Sequence, residues 1–436
     1  MDYQKQIDAV VQYIKSGEKK EENFSIGVEM EHFILHNDSL KTVSYYGEEG
    51  VGSSLKEIAS SSDAHDIYKE EDHVLGLSRE NVDISTEPGS QFEVAVDFDM
   101  NIGVLEERYT KFLKEAVEVF QKKDQRIVTL GYHPVTAIDE IKILPKKRYD
   151  FMYNYFKTKG SMAHNMMKGT CALQIIIDFK DEEDFKKKYR AANILSPVLY
   201  ALFDNSYIFE GKTYPEYNLR EKIWENTDSD RSGIFDLAFK EDLSYRSYAE
   251  KIINTPLIFM EENGAQVSSG DKTLKDVLDP EKENDDLIFH ALSIVFPDVR
   301  VKRYLELRMM DSVPYPLNFS CIALIKGLFY NEKTLEQFLK DTESVSYEDV
   351  VKGKKETRAK GLQGLYKDQT ILEWGKKITT LAEEALSEEE VKYLEPLKEL
   401  LKEGKNPRDQ FEEIYNKDGL REAVDSVTMT REVLDA

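Results

Sequence analysis

The residues best suited to chemistry in this 436-residue chain are carboxylates spaced two apart in strand-like stretches. In FSIGVEMEHFIL polar and apolar residues alternate, so a strand here carries Glu29 and Glu31 on one face and Phe24, Ile26, Val28 and Met30 on the other. STEPGSQFEVAVDF repeats the arrangement, with Gln91, Glu93 and Asp97 opposite Phe92, Val94 and Val96, and with Glu87 set before a Pro-Gly turn. VKRYLELRMMD puts Glu306 and Arg308 on a face with Lys302 and Tyr304, while TCALQIIIDF groups Gln174 and Asp178 with Ile176. Four predicted strands thus offer polar groups to one side.

Two readings of these faces stand side by side. They are the solvated sides of antiparallel strands in an acidic protein, or they gather around a bound cation. Glutamate is depleted in strands, and like charges side by side weaken a sheet unless something offsets them. Oxygen-only ligands favour Mg²⁺ or Mn²⁺ over zinc, and Mg²⁺ usually binds through a few carboxylates plus substrate phosphates. The cation reading therefore implies phosphoryl transfer.

Composition narrows the partners. With 83 acidic against 59 basic residues, the chain repels a phosphate backbone, which argues against nucleic acid. No apolar run approaches the roughly 20 residues needed to cross a bilayer, so no membrane role is expected. The start, MDYQKQIDAV, lacks the order of a signal peptide, and the expected location is cytoplasmic. Two cysteines, Cys171 and Cys321, are too few for a disulfide framework. Cys171 alternates toward the apolar side with Leu173 and Ile175, as a small buried hydrophobe rather than a nucleophile. His32 falls on the apolar side of its strand and reads as a core histidine, whereas His133 and His164 lie near motifs with loop or packing roles equally open.

The elements that must position these groups mix sheet and helix. Leu105, Tyr109, Phe112, Leu113, Ala116, Val117 and Phe120 recur at helical spacing, and a second helix carries Phe185, Tyr189, Leu195, Leu199 and Leu202 with Pro197 as a kink. The polar, turn-rich stretch 261–288 reads as a surface excursion. Beyond residue 330 the pattern is charged, amphipathic and helical, with Ser387 a candidate N-cap. No P-loop, no GxGxxG after a strand and no internal repeat is present. The expected division is a catalytic core over 1–330 and a helical part over 331–436 packed on the same domain.

Six segments in order, IGVEMEHF, STEPGSQFE, PKKRYDFMYNYF, GTCALQIIIDF, IWENTDSDRSG and FPDVRVKRYLELR, resemble the signature segments of plant and proteobacterial glutamate–cysteine ligases. The resemblance spans about residues 24–330. It implies an α+β, glutamine synthetase-like fold, in which a curved, largely antiparallel sheet forms a funnel with helices outside. It also implies ATP-dependent phosphorylation of the glutamate γ-carboxylate, followed by attack of the cysteine amine on the acyl phosphate. Carried over by position, it makes Glu29, Glu31, Glu87, Glu93 and Glu306 metal ligands for Mg²⁺ or Mn²⁺, and Gln174 a metal or substrate contact. Arg308 would neutralise the transferring phosphate, with an ion pair to Glu306 as the competing reading. Arg231 would receive the α-carboxylate of glutamate, with Arg148 ranked after it.

This chain departs from the family pattern at Gly169, where an arginine is usual, at Ile176, where an asparagine is usual, and at Met309 and Met310, where glycine and alanine are usual. These changes bear on the amine substrate and predict an apolar pocket wall near Ile176. A sister ligase joining glutamate to another amine, and a catalytically silent regulator that keeps the fold, are the alternatives. The oligomeric state is left open.

Overall fold

Alternation along IGVEMEHFILH produces the central strand of the sheet, and its neighbours follow from the same pattern. In the computed structural model, which describes residues 2–61, 64–262 and 264–435, ten strands form one sheet. They are β1 (Ile26–His36), β2 (Asp66–Glu70), β3 (His73–Arg79), β4 (Val82–Thr86), β5 (Phe92–Asp99), β6 (Gln125–Val128), β7 (Ala172–Ile177), β8 (Val299–Val301), β9 (Leu305–Asp311) and β10 (Thr428–Met429). Their order is β8-β9-β7-β1-β5-β4-β3-β2, with β6 pairing the far half of β1 and β10 pairing β6. Every pairing in this sheet is antiparallel. The fold is α+β.

The apolar face of the sheet, including Val28, Met30, Val94, Ile175 and Leu307, enters one buried core with three helices. α1 (Ile102–Gln121) covers β5 and β6, α4 (Glu182–Leu202) packs on β8 and β9, and α6 (Leu317–Phe329) packs on β7. Between α1 and α4 in the chain lie α2 (Lys147–Phe156) and α3 (Ala163–Gly169); α5 (Leu219–Glu225) follows α4. α1 is capped by Asn101, whose side chain accepts from the Gly103 N–H, and α4 by Asp181, which accepts from the Asp184 N–H. α4 runs on through Pro197.

His32 is fully buried on the core side: Nδ1 lies 3.1 Å from the Phe92 carbonyl and Nε2 2.8 Å from the Tyr109 hydroxyl. Cys171 and Cys321 are buried and unpaired. Residues 331–435 are mostly helical; Ile371, Trp374, Ile378, Leu397 and Leu401 join the same apolar core, and β10 extends the sheet. The stretch read as a surface excursion is more ordered than that. It forms a hairpin, Phe259–Glu262 with Ala265–Ser268, and leads into the helix Asp285–Ser293, which returns the chain to the polar face of the sheet. Among the described residues no helix is long and apolar enough to cross a membrane.

Candidate active site

Residues directly opposite each other in antiparallel strands point to the same side, so the register shows how the acids gather. Glu31 of β1 faces Glu93 of β5, Glu29 of β1 faces Gln174 of β7, and Ile176 of β7 faces Glu306 of β9. Glu87 sits at the end of β4 in a turn closed by Ser90 N–H to its carbonyl at 2.8 Å, with Ser90 at a φ of 73°. The turn is pressed against α3. A Cβ on Gly89 would lie 2.4 Å from the Lys168 carbonyl oxygen, so only glycine allows this approach. Gln91 ties the two together, accepting from the Gly89 N–H at 2.7 Å and donating to the Met167 and Thr170 carbonyls.

Glu29, Glu31, Glu87, Gln91, Glu93 and Gln174 line one cavity of about 390 Å³. Its carboxylates are Glu29, Glu31, Glu87 and Glu93; its cations are Lys146, Arg148, Arg220, Arg300, Lys302 and Arg308. Trp224, Phe289 and His290 add an aromatic rim, and Met152, Met166 and Met167 an apolar one. Glu306, expected as a metal ligand, instead lies beneath with no exposed surface, paired with Arg300, with Arg308 at 3.3 Å and with Lys302 at 3.6 Å. Arg308 Nη1 also donates to Gln174 Oε1, while Gln174 Nε2 donates to Glu31 at 3.2 Å. The ion pair and the cavity position of Arg308 therefore coexist.

The charges are far from their solution behaviour. Burial, then the neighbouring Glu87 charge, push Glu31 up to about 8, and burial with Glu29, Glu87 and Glu31 pushes Glu93 well up. Burial and Glu306 raise Glu29. Burial pushes Glu306 the same way, but Arg300, Lys302 and Arg308 outweigh it and hold its carboxyl below the usual range. Burial lowers Lys146 and, together with Arg300, lowers Lys302. Several donors have no partner of their own: Arg148 Nε, Arg220 Nη1 and Arg308 Nε are buried without a hydrogen bond, as is Glu306 Oε1 among the acceptors. A buried polar atom left unpaired is costly, and the three unpaired guanidinium N–H groups belong to residues that line the cavity, which suits an anionic ligand there.

Several expectations need correction. Arg231 is completely buried outside the cavity: Nε donates to Asp228 at 2.7 Å, Nη1 to the Ile294 carbonyl, and Nη2 to the Tyr155 hydroxyl and the Pro256 carbonyl. It braces loops and does not face a substrate. Ile176 shares the acid face by register but does not line the cavity, because two residues of β5, Asp97 and Phe98, oppose Gly27 alone, and the Phe98 ring stands over Gly27 beside it. That bulge also sends Asp97 out to solvent. Met309 and Met310 are fully buried because a second bulge sets Arg308 and Met309 against Gln174, after which Met310 pairs with Leu173. Asp178 instead accepts from Ser25 and pairs with Lys19 at 2.9 Å.

His133 and His164 do not line the cavity; His133 packs at a tilt against Phe33 and His164 stacks on Tyr153. At Gly169 a Cβ would meet the Tyr132 ring at 2.5 Å, so Tyr132 fills the room a side chain would take. The sequence reading passed over Lys146, Tyr149, Arg220, Trp224, His290 and Arg300. Tyr149 donates to Glu87 at 3.1 Å, and Arg220 and Trp224, four apart on α5, lie in contact. That i,i+4 spacing was the available signal; His290 had none.

A sequence profile described as glutamate-cysteine ligase family 2 matches residues 25–428. The chain is 28% identical over 414 residues to glutamate–cysteine ligase B, chloroplastic, of Oryza sativa subsp. japonica, covering 92% of this chain and 82% of that one. It is 28% identical over 418 residues to the chloroplastic enzyme of Brassica juncea, covering 93% and 80%. The crystal structure of glutamate–cysteine ligase from Francisella tularensis in complex with AMP superposes with a TM-score of 0.59 at 12% identity, over 96% of this chain and 89% of that one. The family match makes this chain an ATP-dependent ligase, and the fold agrees. The chain belongs to glutamate-cysteine ligase family 2, whose reaction forms γ-glutamylcysteine in glutathione synthesis.

Proposed function

We propose that this cavity carries out the ligation, with glutamate, ATP and cysteine meeting between its acidic and basic walls. The observation that carries the reading is the opposition of Glu29, Glu31, Glu87 and Glu93 to six cations around one space. The γ-carboxylate of glutamate attacks the γ-phosphorus of ATP and ADP leaves; the cysteine amine then attacks the acyl carbon and phosphate leaves. Arg308 faces the transferring phosphoryl group, where an always-charged planar fork suits developing charge. Glu306 holds that fork in place, and Gln174 links it to Glu31. Arg148 and Arg220, each with a buried unpaired N–H, replace Arg231 as the groups for the substrate carboxylates.

The donor set fits a hard divalent cation through oxygen alone. Among the described residues no three acids, imidazoles or thiols converge into a ready-made metal cluster. Mg²⁺ and Mn²⁺ complete their coordination with phosphate oxygens and water. Glu29, Glu31, Glu87 and Glu93 would hold it, and it would supply charge neutralisation at the phosphates. We place the protein in the cytoplasm, where its two buried, unpaired cysteines match reducing conditions.

The test is product analysis. With glutamate, cysteine and Mg²⁺ or Mn²⁺ the protein forms ADP, and hydroxylamine diverts the acyl phosphate to a γ-hydroxamate. Release of AMP and pyrophosphate would overturn the mechanism. An acceptor series of cysteine, 2-aminobutyrate, alanine and larger apolar amines identifies the amine, and preference for one of the larger amines would assign a sister ligase.

A further inference from the structure

The bulge in β9 takes Arg308 out of the ladder with β7, so its backbone must be held from elsewhere. Its N–H donates to the Asp298 carbonyl at 3.0 Å, and its own carbonyl accepts from Arg220 Nε at 3.2 Å and Nη2 at 3.1 Å. Both holders are tethered to one side chain from beyond residue 330. Lys354, on the helix Tyr347–Lys360, donates to the Asp298 carboxylate at 2.8 Å and lies 3.6 Å from Glu221, the residue next to Arg220 on α5. The Asp298 carboxylate is otherwise filled by Ser196 and by Tyr200 at 2.9 Å. Lys354, Asp298 and Glu221 are all buried, and Arg358 on the same helix adds a second contact to Glu221 at 3.4 Å.

We propose that Lys354 is a positioning residue: from the C-terminal helical part it clamps the two supports of the Arg308 backbone and so aims the Arg308 fork into the cavity. This rests on the reading of Arg308 given above. The geometry is economical in one respect. Asp298 controls the N–H side of Arg308 and α5 controls the carbonyl side, so a shift of Lys354 moves both at once. Arg308 itself is untouched by Lys354. A displacement near 1 Å at a transition-state contact costs on the order of 10²-fold in rate. Substrate affinity, spread over the whole cavity, changes little.

The experiment is a double-mutant cycle with Lys354→Met and Arg308→Lys, read as kcat and KM for ATP and glutamate on the full chain at a temperature where circular dichroism shows every variant folded. Lys354→Met should lower kcat roughly 10- to 100-fold with KM shifted less than about threefold, and should add less than about threefold to Arg308→Lys, since a fork already replaced has no aim to lose. Independent, multiplying losses would overturn the proposal, as would wild-type kcat in Lys354→Met. If Lys354→Met does not fold, Glu221→Gln carries the test, because it leaves the Lys354–Asp298 pair intact: a fall in kcat at constant KM supports the clamp and an unchanged kcat sinks it. If Arg308→Lys itself retains full activity, the assignment of Arg308 fails, which is a different result from failure of the clamp.

Discussion

Glu306 is buried beneath the cavity and Glu93 is a half-buried part of its wall, and replacing each by glutamine should move stability in opposite directions. Glu306 is surrounded by Arg300, Lys302 and Arg308, and its removal as a charge leaves three cations packed together without a counter-ion. Breaking a buried pair from one side costs about 3–5 kcal/mol. Unfolding entropy of roughly 2.1 cal/mol/K per residue amounts to about 0.9 kcal/mol/K for a chain of this length, so Glu306→Gln should lower Tm by roughly 3–6 °C. Glu93 stands directly opposite Glu31 and is crowded by Glu29 and Glu87. Glutamine there keeps the shape, still accepts from the Ser85 hydroxyl at 2.7 Å in the native contact, and relieves repulsion.

The ligand-free Tm of Glu93→Gln should therefore equal or exceed that of the wild type. Turnover should be lost in both variants. Added Mg²⁺ with a non-hydrolysable ATP analogue should raise the wild-type Tm, and raise that of Glu93→Gln far less. Differential scanning fluorimetry with and without the nucleotide reads all of this, together with ADP release. Equal destabilisation of the two ligand-free variants would refute the charge reasoning. Wild-type metal-dependent turnover in Glu93→Gln would refute the placement of the cation.

Arg231→Lys should lower Tm by several degrees, because Asp228 and two carbonyls lose their donors, while leaving KM for glutamate within about twofold; a selective rise in that KM would restore Arg231 to the site. Ile176→Asn should leave the ranking of amine acceptors unchanged, as measured by kcat/KM for cysteine and 2-aminobutyrate, since Ile176 does not line the cavity. Burial holds His133 down to about 3, below its ordinary value of 6.5, so its stabilising contribution is complete above pH 6.5 and is lost as pH falls toward 3. The full loss amounts to roughly 5 kcal/mol. His133→Phe should flatten the acid limb of a Tm-against-pH curve in that window; an unchanged curve would show that the imidazole is not the titrating group.

What could be read in advance was what local periodicity encodes. Glu29, Glu31, Glu93, Gln174 and Glu306 reached one face because strand alternation is a property of the backbone, independent of the partner strand. The readings that went astray sit at or beyond breaks in that periodicity. Asp97 and Ile176 lie beside the β5 bulge, and Met309 and Met310 beside the β9 bulge, where one extra residue exchanges inward and outward positions. Asp178 lies just past the end of β7, where alternation no longer applies. Arg231 was misplaced for another reason: residue type and motif position say nothing about whether a guanidinium is already saturated. Lys146, Arg220 and Arg300 were missed because they come from separate elements, Lys146 at the N-cap of α2, Arg220 on α5 and Arg300 on β8, and only tertiary packing joins them.

The acids and the cations are then two halves of one arrangement, legible to different degrees. Opposing Glu31 to Glu93 across neighbouring strands works against sheet stability, and burial makes it worse. Direct neutralisation by the cations across the cavity would cancel this, but the structure spends Arg300, Lys302 and Arg308 on Glu306 and leaves the β1–β5 acids without a basic partner in hydrogen-bond contact among the described residues. Arg148 and Arg220 likewise retain unpaired N–H groups while acids line the same space. The cavity keeps its two charge sets apart, and on the function proposed above that separation is what a metal-bound polyphosphate beside an amino-acid carboxylate would complete.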